Sequence, residues 1–156
     1  SLDYHRRFYA MVAANLDAIA ADHPRFVLLD VHSYNHRRDG AEEPPEAAAN
    51  NPEVNVGTGS MDRGRWSAVV DAFIEAMASH RTPGGAIDVR ENVRFKGANL
   101  ARWVHERYPE RGCAMALEFK KTYMDEWTGM PDKTRIRVLA QALASTIDPM
   151  RRALER

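Results

Sequence analysis

Cysteine is nearly absent from this chain. Cys113 is the only one in 156 residues, so there is no internal disulfide framework, and a reducing compartment, the cytoplasm, is expected. Net charge is absent too. Lys and Arg total 22 and Asp and Glu total 22, which argues against a nucleic-acid or membrane-surface role driven by bulk charge. No apolar run approaches the roughly 18 residues of a membrane-spanning helix, and no signal peptide is expected. No internal repeat is evident. The glycines at 57 and 59 are not followed by the Gly-Lys-Ser/Thr of a Walker loop. There is also no initiating Met: the chain starts at Ser1, already inside a helical pattern, which suggests part of a longer protein.

What is present is one domain's worth of alternating patterns. A chain of this length can bury roughly 70% of its unfolded surface. From Leu2 to Ala21, Phe8, Val12, Leu16 and Ile19 recur at helical spacing, and Asp22-His23-Pro24 stops the helix. Residues 26–31, Phe-Val-Leu-Leu-Asp-Val, read as a buried strand. Residues 39–53 hold three prolines and little to bury, so they are expected to be a mobile loop. A short strand from Val54 runs into a glycine turn whose N–H groups can bind an anion or simply close the turn. Asp62 is placed to cap a helix running to about His80.

Further on, Ile87, Val89 and Val93 mark a strand, and Gly97 opens a helix on which His105 and Arg107 are expected to be solvated. In the strand 113–119, Cys113, Met115, Leu117 and Phe119 take one face, leaving Ala114, Ala116 and Glu118 on the other. A long helix from Asp132 is expected to break or kink at Pro149, leaving Arg151–Arg156 as a polar tail. This order predicts a three-layer α/β domain with a mostly parallel or mixed central sheet and helices on both faces. Strands 26–31, 87–90 and 113–119 are expected to be neighbours.

Two strand ends carry chemistry. The first is Asp30-Val31-His32-Ser33-Tyr34-Asn35-His36-Arg37-Arg38, where Asp30 and His32 share a face and a carboxylate can orient an imidazole. The second is Glu118-Phe119-Lys120-Lys121. A glutamate over two small residues needs a partner or a pocket. An ion pair with Lys120 or Lys121 competes with a functional role for Glu118, as a simple strand-end hydrogen bond does for His32.

His32-Ser33-Tyr34 and the later Glu118 resemble the last zinc ligand and the general-base glutamate of zinc carboxypeptidases. The blocks Leu29 to Arg38, Asn55-Val56-Gly57-Thr58-Gly59, Glu118 to Lys121 and Met124-Asp125-Glu126-Trp127-Thr128-Gly129 are similar to one branch of the N-formylglutamate amidohydrolase family, which shares that fold and site plan. The resemblance implies a zinc-dependent hydrolase of a linear amide, with His32 as a metal ligand and Glu118 as base. It places Asp30 and Ser33 behind them, and Asn35, Arg37, Arg38 and Lys120 on a carboxylate-bearing small-molecule substrate. His36 is an alternative ligand.

The family plan also implies a further His and Glu ligand from a segment before residue 1, and no His-x-x-Glu stands in this sequence. The chain therefore reads as the C-terminal part of a larger amidohydrolase domain with an incomplete zinc site, incomplete at its N-terminal side, paired with that segment or forming a homo-oligomer. A non-catalytic binding module on the same scaffold, or a fragment inactive without its other half, are the alternatives. Neither a nucleic acid nor a membrane is expected as partner.

Overall fold

Residues 2–37 and 39–156 are described by the computed structural model. Along the chain the elements are α1 (Leu2–Asp22), β1 (Phe26–Tyr34), a 3₁₀ turn (Ala48–Asn50), β2 (Val54–Gly57), α2 (Ser67–Ser79), β3 (Arg81–Thr82), β4 (Gly85–Ala86), β5 (Val89–Glu91), α3 (Asn99–Arg107), β6 (Gly112–Lys120), α4 (Lys133–Ser145) and α5 (Ile147–Leu154). The sheet order is β1-β6-β2-β5. β1 pairs with β6 in parallel, β2 pairs with β6 antiparallel, and β2 pairs with β5 in parallel. β3 and β4 form a separate small hairpin.

Side-chain alternation splits β6 between two cores. Cys113, Met115, Leu117 and Phe119 pack with Val54, Phe73 and Met150 under α2, α4 and α5. Ala114 faces the other way, among Leu16, Phe26, Val104 and Tyr108 beneath α1 and α3. The result is the expected three-layer arrangement with a mixed sheet.

Several expectations are corrected. β1 continues through Tyr34, so His32 and Ser33 belong to the strand itself. β5 is not a neighbour of β1 or β6; it lies beyond β2 at the opposite edge and ends at Glu91, because Asn92 turns the chain at φ 55°. The long C-terminal helix is two helices. It stops at Ser145, four residues before Pro149, where the Thr146 hydroxyl donates to Leu143 O at 2.7 Å. Pro149 sits in the first turn of α5, where a missing N–H has no helical partner to lose. The presumed polar tail is helical through Leu154, with Ala153 buried alongside Met150. Asp62 caps a turn ahead of α2, accepting from Arg65 N at 3.0 Å, while Trp66 occupies the helix N-cap.

His105 is not solvated. The Ala114 N–H donates to its Nε2 at 3.0 Å, and its Nδ1 lies 3.0 Å from Ser60 Oγ. A neutral ring that accepts at Nε2 keeps its proton on Nδ1, directed at the hydroxyl. Burial pushes its pKa down, so this histidine ties α3 to β6 as a neutral group and does not activate Ser60. The N–H groups of the glycine turn are also used internally: Thr58 N donates to Asn92 Oδ1 at 2.9 Å and Gly59 N to Lys96 O at 2.7 Å.

In the 39–53 segment, residues 41–45 are exposed. The later part is tied down. Arg90 donates to Ala48 O and Ala49 O, Lys120 Nζ donates to Asn51 O, and Tyr34 Oη donates to Pro52 O.

The segment after β5 packs directly on the sheet at Gly57. A β-carbon there would lie 2.5 Å from Gly97 N and 2.8 Å from Lys96 C, both backbone atoms with no room to yield. Gly57→Ala is therefore expected to lower the urea midpoint by the equivalent of about 1–3 kcal/mol, the usual cost of overpacking. An unchanged midpoint would show that the 96–97 segment does not press on β2.

Candidate active site

The register of the sheet brings the two chemical strand ends together. His32 is the cross-strand partner of Glu118 on β6, and Glu118 is in turn opposite Asn55 on β2. Side chains at paired positions share a face, so His32, Glu118 and Asn55 form one row across the sheet. Asp30 lies two positions back on β1, opposite Ala116. The small side chain of Ala116 leaves space on this face, and a cleft of about 540 Å³ opens there. Its walls include Asp30, His32 and Glu118 from the sheet, Tyr9 from α1, and Phe95 and Lys96 from the segment after β5.

His32 Nε2 lies 2.7 Å from Asp30 Oδ1, and the His32 side chain is 52% exposed. With Nε2–H donating to the Asp30 carboxylate, the lone pair stays on Nδ1, available to a metal. Glu118 makes no hydrogen bond and no ion pair among the described residues. Burial raises its pKa; the nearby His32 opposes that shift and Asp30 adds to it. Lys120, expected either on substrate or on Glu118, instead donates to Asn51 O at 2.9 Å and lines neither of the two clefts at the site.

A second cleft of about 590 Å³ adjoins the first and shares Glu118 and Phe95 with it. Ser33, Asn35 and Arg37 line it, together with Trp127. Arg38 lies outside the described residues. His36 does not join His32: its Nδ1 lies 2.6 Å from Glu126 Oε1. That carboxylate also accepts from His36 N at 2.7 Å and Arg37 N at 3.2 Å. His36 thus helps lock the turn after β1.

Three residues that no local sequence pattern singles out position this site. Asn55 is fully buried; its Oδ1 accepts from Arg94 N at 2.8 Å and its Nδ2 donates to Phe95 O at 2.7 Å, holding the segment that walls both clefts. Arg94 pairs through both terminal nitrogens with Glu46 and lies over the Tyr34 ring at 5.2 Å. Glu126 is the third. The available signal is compositional: an Asn inside an otherwise apolar strand, a residue that strands disfavour.

Among the described residues no three His, Cys, Asp or Glu side chains gather as a metal site. His32, oriented by Asp30, suits one zinc ligand, but the set is incomplete for a site that needs three.

Glu118 generates a stability prediction. A carboxyl whose pKa is raised by folding favours the folded state most below the ordinary glutamate pKa, about 4.3, and loses that contribution as pH rises through the folded value. Glu118→Gln removes the cost of ionising in the cleft. It is expected to raise the melting temperature at pH 7 and to leave it unchanged near pH 4. A variant less stable than the parent at pH 7 would mean that Glu118 has a stabilising partner.

The sequence model of the N-formylglutamate amidohydrolase family matches residues 1–124. No curated protein matches the chain. Among solved structures, the fold is similar to that of N-formylglutamate amidohydrolase from Ralstonia eutropha JMP134, with a TM-score of 0.64 at 18% identity. The match covers 95% of this chain and 49% of that one, so the chain spans about half the length of the structure it resembles. With the family pattern running through β1 and the residues of β6 that carry the row, the chain belongs to the N-formylglutamate amidohydrolase family.

Proposed function

We propose that this chain supplies the general base and one metal ligand of a zinc-dependent hydrolase acting on a linear amide of the N-acyl amino acid type. The observation that carries this reading is Glu118: a carboxylate in a cleft, facing His32 across one strand pair, with no hydrogen bond or ion pair among the described residues. An unpaired, partly buried carboxylate is costly to keep unless it has work to do. The raised pKa moves it toward the range where a base both accepts and returns a proton near neutrality.

In this reading Glu118 takes a proton from a water as the water oxygen bonds to the amide carbon. The carbon–nitrogen bond then breaks and the same proton passes to the leaving nitrogen, giving a carboxylate and an amine. Asp30 holds the His32 ring so that Nδ1 faces the cleft. When bound, zinc would polarise the carbonyl and acidify the water. The described residues hold no complete metal cluster, and in this reading its other ligands would come from a polypeptide segment outside them. The solved structure of similar fold is about twice as long as this chain, which supports that reading.

The test is made on the protein as its gene encodes it. With zinc supplied, hydrolysis of an N-formyl amino acid should fall roughly 10²–10⁴-fold in Glu118→Gln while substrate binding persists, the usual worth of a positioned base. The parent's kcat/KM should fall on the acid side as Glu118 protonates. His32→Ala should lose bound zinc as well as activity. Unchanged turnover in Glu118→Gln would remove the base. Binding without zinc and without turnover would favour a binding module on the same scaffold.

A further inference from the structure

A cation on the wall of the Glu118 cleft already holds a carboxylate, supplied by the protein itself. Arg94 lines that cleft with His32 and Glu118. Its Nη1 lies 2.5 Å from Glu46 Oε2 and its Nη2 lies 2.8 Å from Glu46 Oε1. Two parallel N–H···O bonds from one guanidinium are the arrangement in which arginine recognises a carboxylate of any origin. Nη1 also reaches Asn50 O at 3.4 Å.

Contacts other than Glu46 hold Arg94 in place. Its backbone N–H donates to Asn55 Oδ1 at 2.8 Å, and Asn55 is the cross-strand neighbour of Glu118. Its guanidinium carbon lies 5.2 Å from the Tyr34 ring centroid and 5.8 Å from that of Phe95, where ring faces attract a cation. Glu46 is held differently. Its backbone is fastened, with its N–H donating to His36 O at 3.1 Å and its carbonyl accepting from Asn51 Nδ2 at 3.3 Å. Rotation of its side chain can therefore withdraw the carboxylate while the segment stays where it is. The Glu46 side chain is 32% exposed, against 12% for Arg94. A withdrawn Glu46 meets water, whereas a bared Arg94 is a mostly buried charge without its partner, which is costly. Exchange at this fork thus favours a ligand that brings its own carboxylate.

Resting on the hydrolase reading above, we propose that Arg94 anchors the α-carboxylate of the N-acyl amino acid, and that Glu46 is its internal stand-in, seated on the fork until a substrate carboxylate displaces it. Arg94 and Glu118 line the same cleft, so a ligand held by Arg94 at its carboxylate end presents its amide within that cleft. A neutral ligand of the same shape cannot replace Glu46 and is bound less well.

Binding tests this without turnover. The protein as its gene encodes it, with zinc supplied and carrying Glu118→Gln so that the ligand is not consumed, is titrated calorimetrically with N-formyl-L-alanine and with its neutral carboxamide. N-formylalanine should bind more tightly than the carboxamide. Adding Glu46→Gln removes the internal competitor and should tighten N-formylalanine roughly fivefold, the effect of losing a competing contact of about 1 kcal/mol. The carboxamide should gain nothing. Arg94→Gln should weaken N-formylalanine roughly 10–100-fold, the usual worth of hydrogen bonds to a charged group, and Arg94→Lys, which keeps the charge without the fork, should weaken it too. In Arg94→Gln, the Glu46→Gln gain should vanish. A purely structural ion pair gives the opposite sign: weaker or unchanged binding of N-formylalanine in Glu46→Gln would overturn the proposal. So would a preference for the carboxylate that survives Arg94→Gln, or no binding of either compound. The expected pattern without hydrolysis by the parent would remove the hydrolase reading and leave the anchor. Hydrolysis by the parent with a KM unchanged in Arg94→Gln would do the reverse.

Discussion

The parallel pairing of β1 with β6 runs over nine residues on each strand, from Phe26 opposite Gly112 to Tyr34 opposite Lys120. Because side chains alternate, a slip of one residue would turn Glu118 into the apolar core and Leu117 toward the cleft. The register is set by burial. Cys113, Met115, Leu117 and Phe119 fill the core under α2, α4 and α5, and only one parity satisfies them. Placing His32 beside Glu118 therefore follows from the packing of residues on the opposite face of the sheet. The same parity puts Ala116 on the site face, where its small size leaves room for a cleft.

Around this row the walls are held by buried polar side chains that bond to backbone. Asn55 grips the 94–95 segment, and Glu126 grips residues 36 and 37. Such groups stabilise only when satisfied, and removing one would leave buried backbone partners unbonded at a cost of about 1–3 kcal/mol. Glu118 stands apart from them. The same sheet that satisfies Asn55 leaves the neighbouring carboxylate without a partner among the described residues, and that contrast separates a structural polar group from a candidate reactive one.

Much of this was legible in the sequence because it rests on local periodicity. The two-residue alternation in 113–119 assigned both faces of β6, and the apolar run 26–31 located β1. Asp30, His32 and Glu118 followed from where those strands end. Strand direction was not legible, since nothing local to Val54–Gly57 shows that β2 runs antiparallel to β6. Nor was the order that puts β5 at the far edge. Helix α5 was hidden because only Met150 and Ala153 of its polar stretch are buried. Trp127, Glu126 and Arg94 gain their roles from residues about 40 or more positions away, such as Glu46 and Arg37, and no local pattern encodes such contacts.

The account centres on Glu118 as a carboxylate with no partner among the described residues, held in a partly desolvated cleft. Its titration can be read directly from the side-chain carboxyl carbon by ¹³C NMR, in the protein without substrate. The account predicts a midpoint above the ordinary glutamate value, about 4.3. A midpoint at or below that value would show a carboxylate stabilised by a partner, and would contradict the central claim.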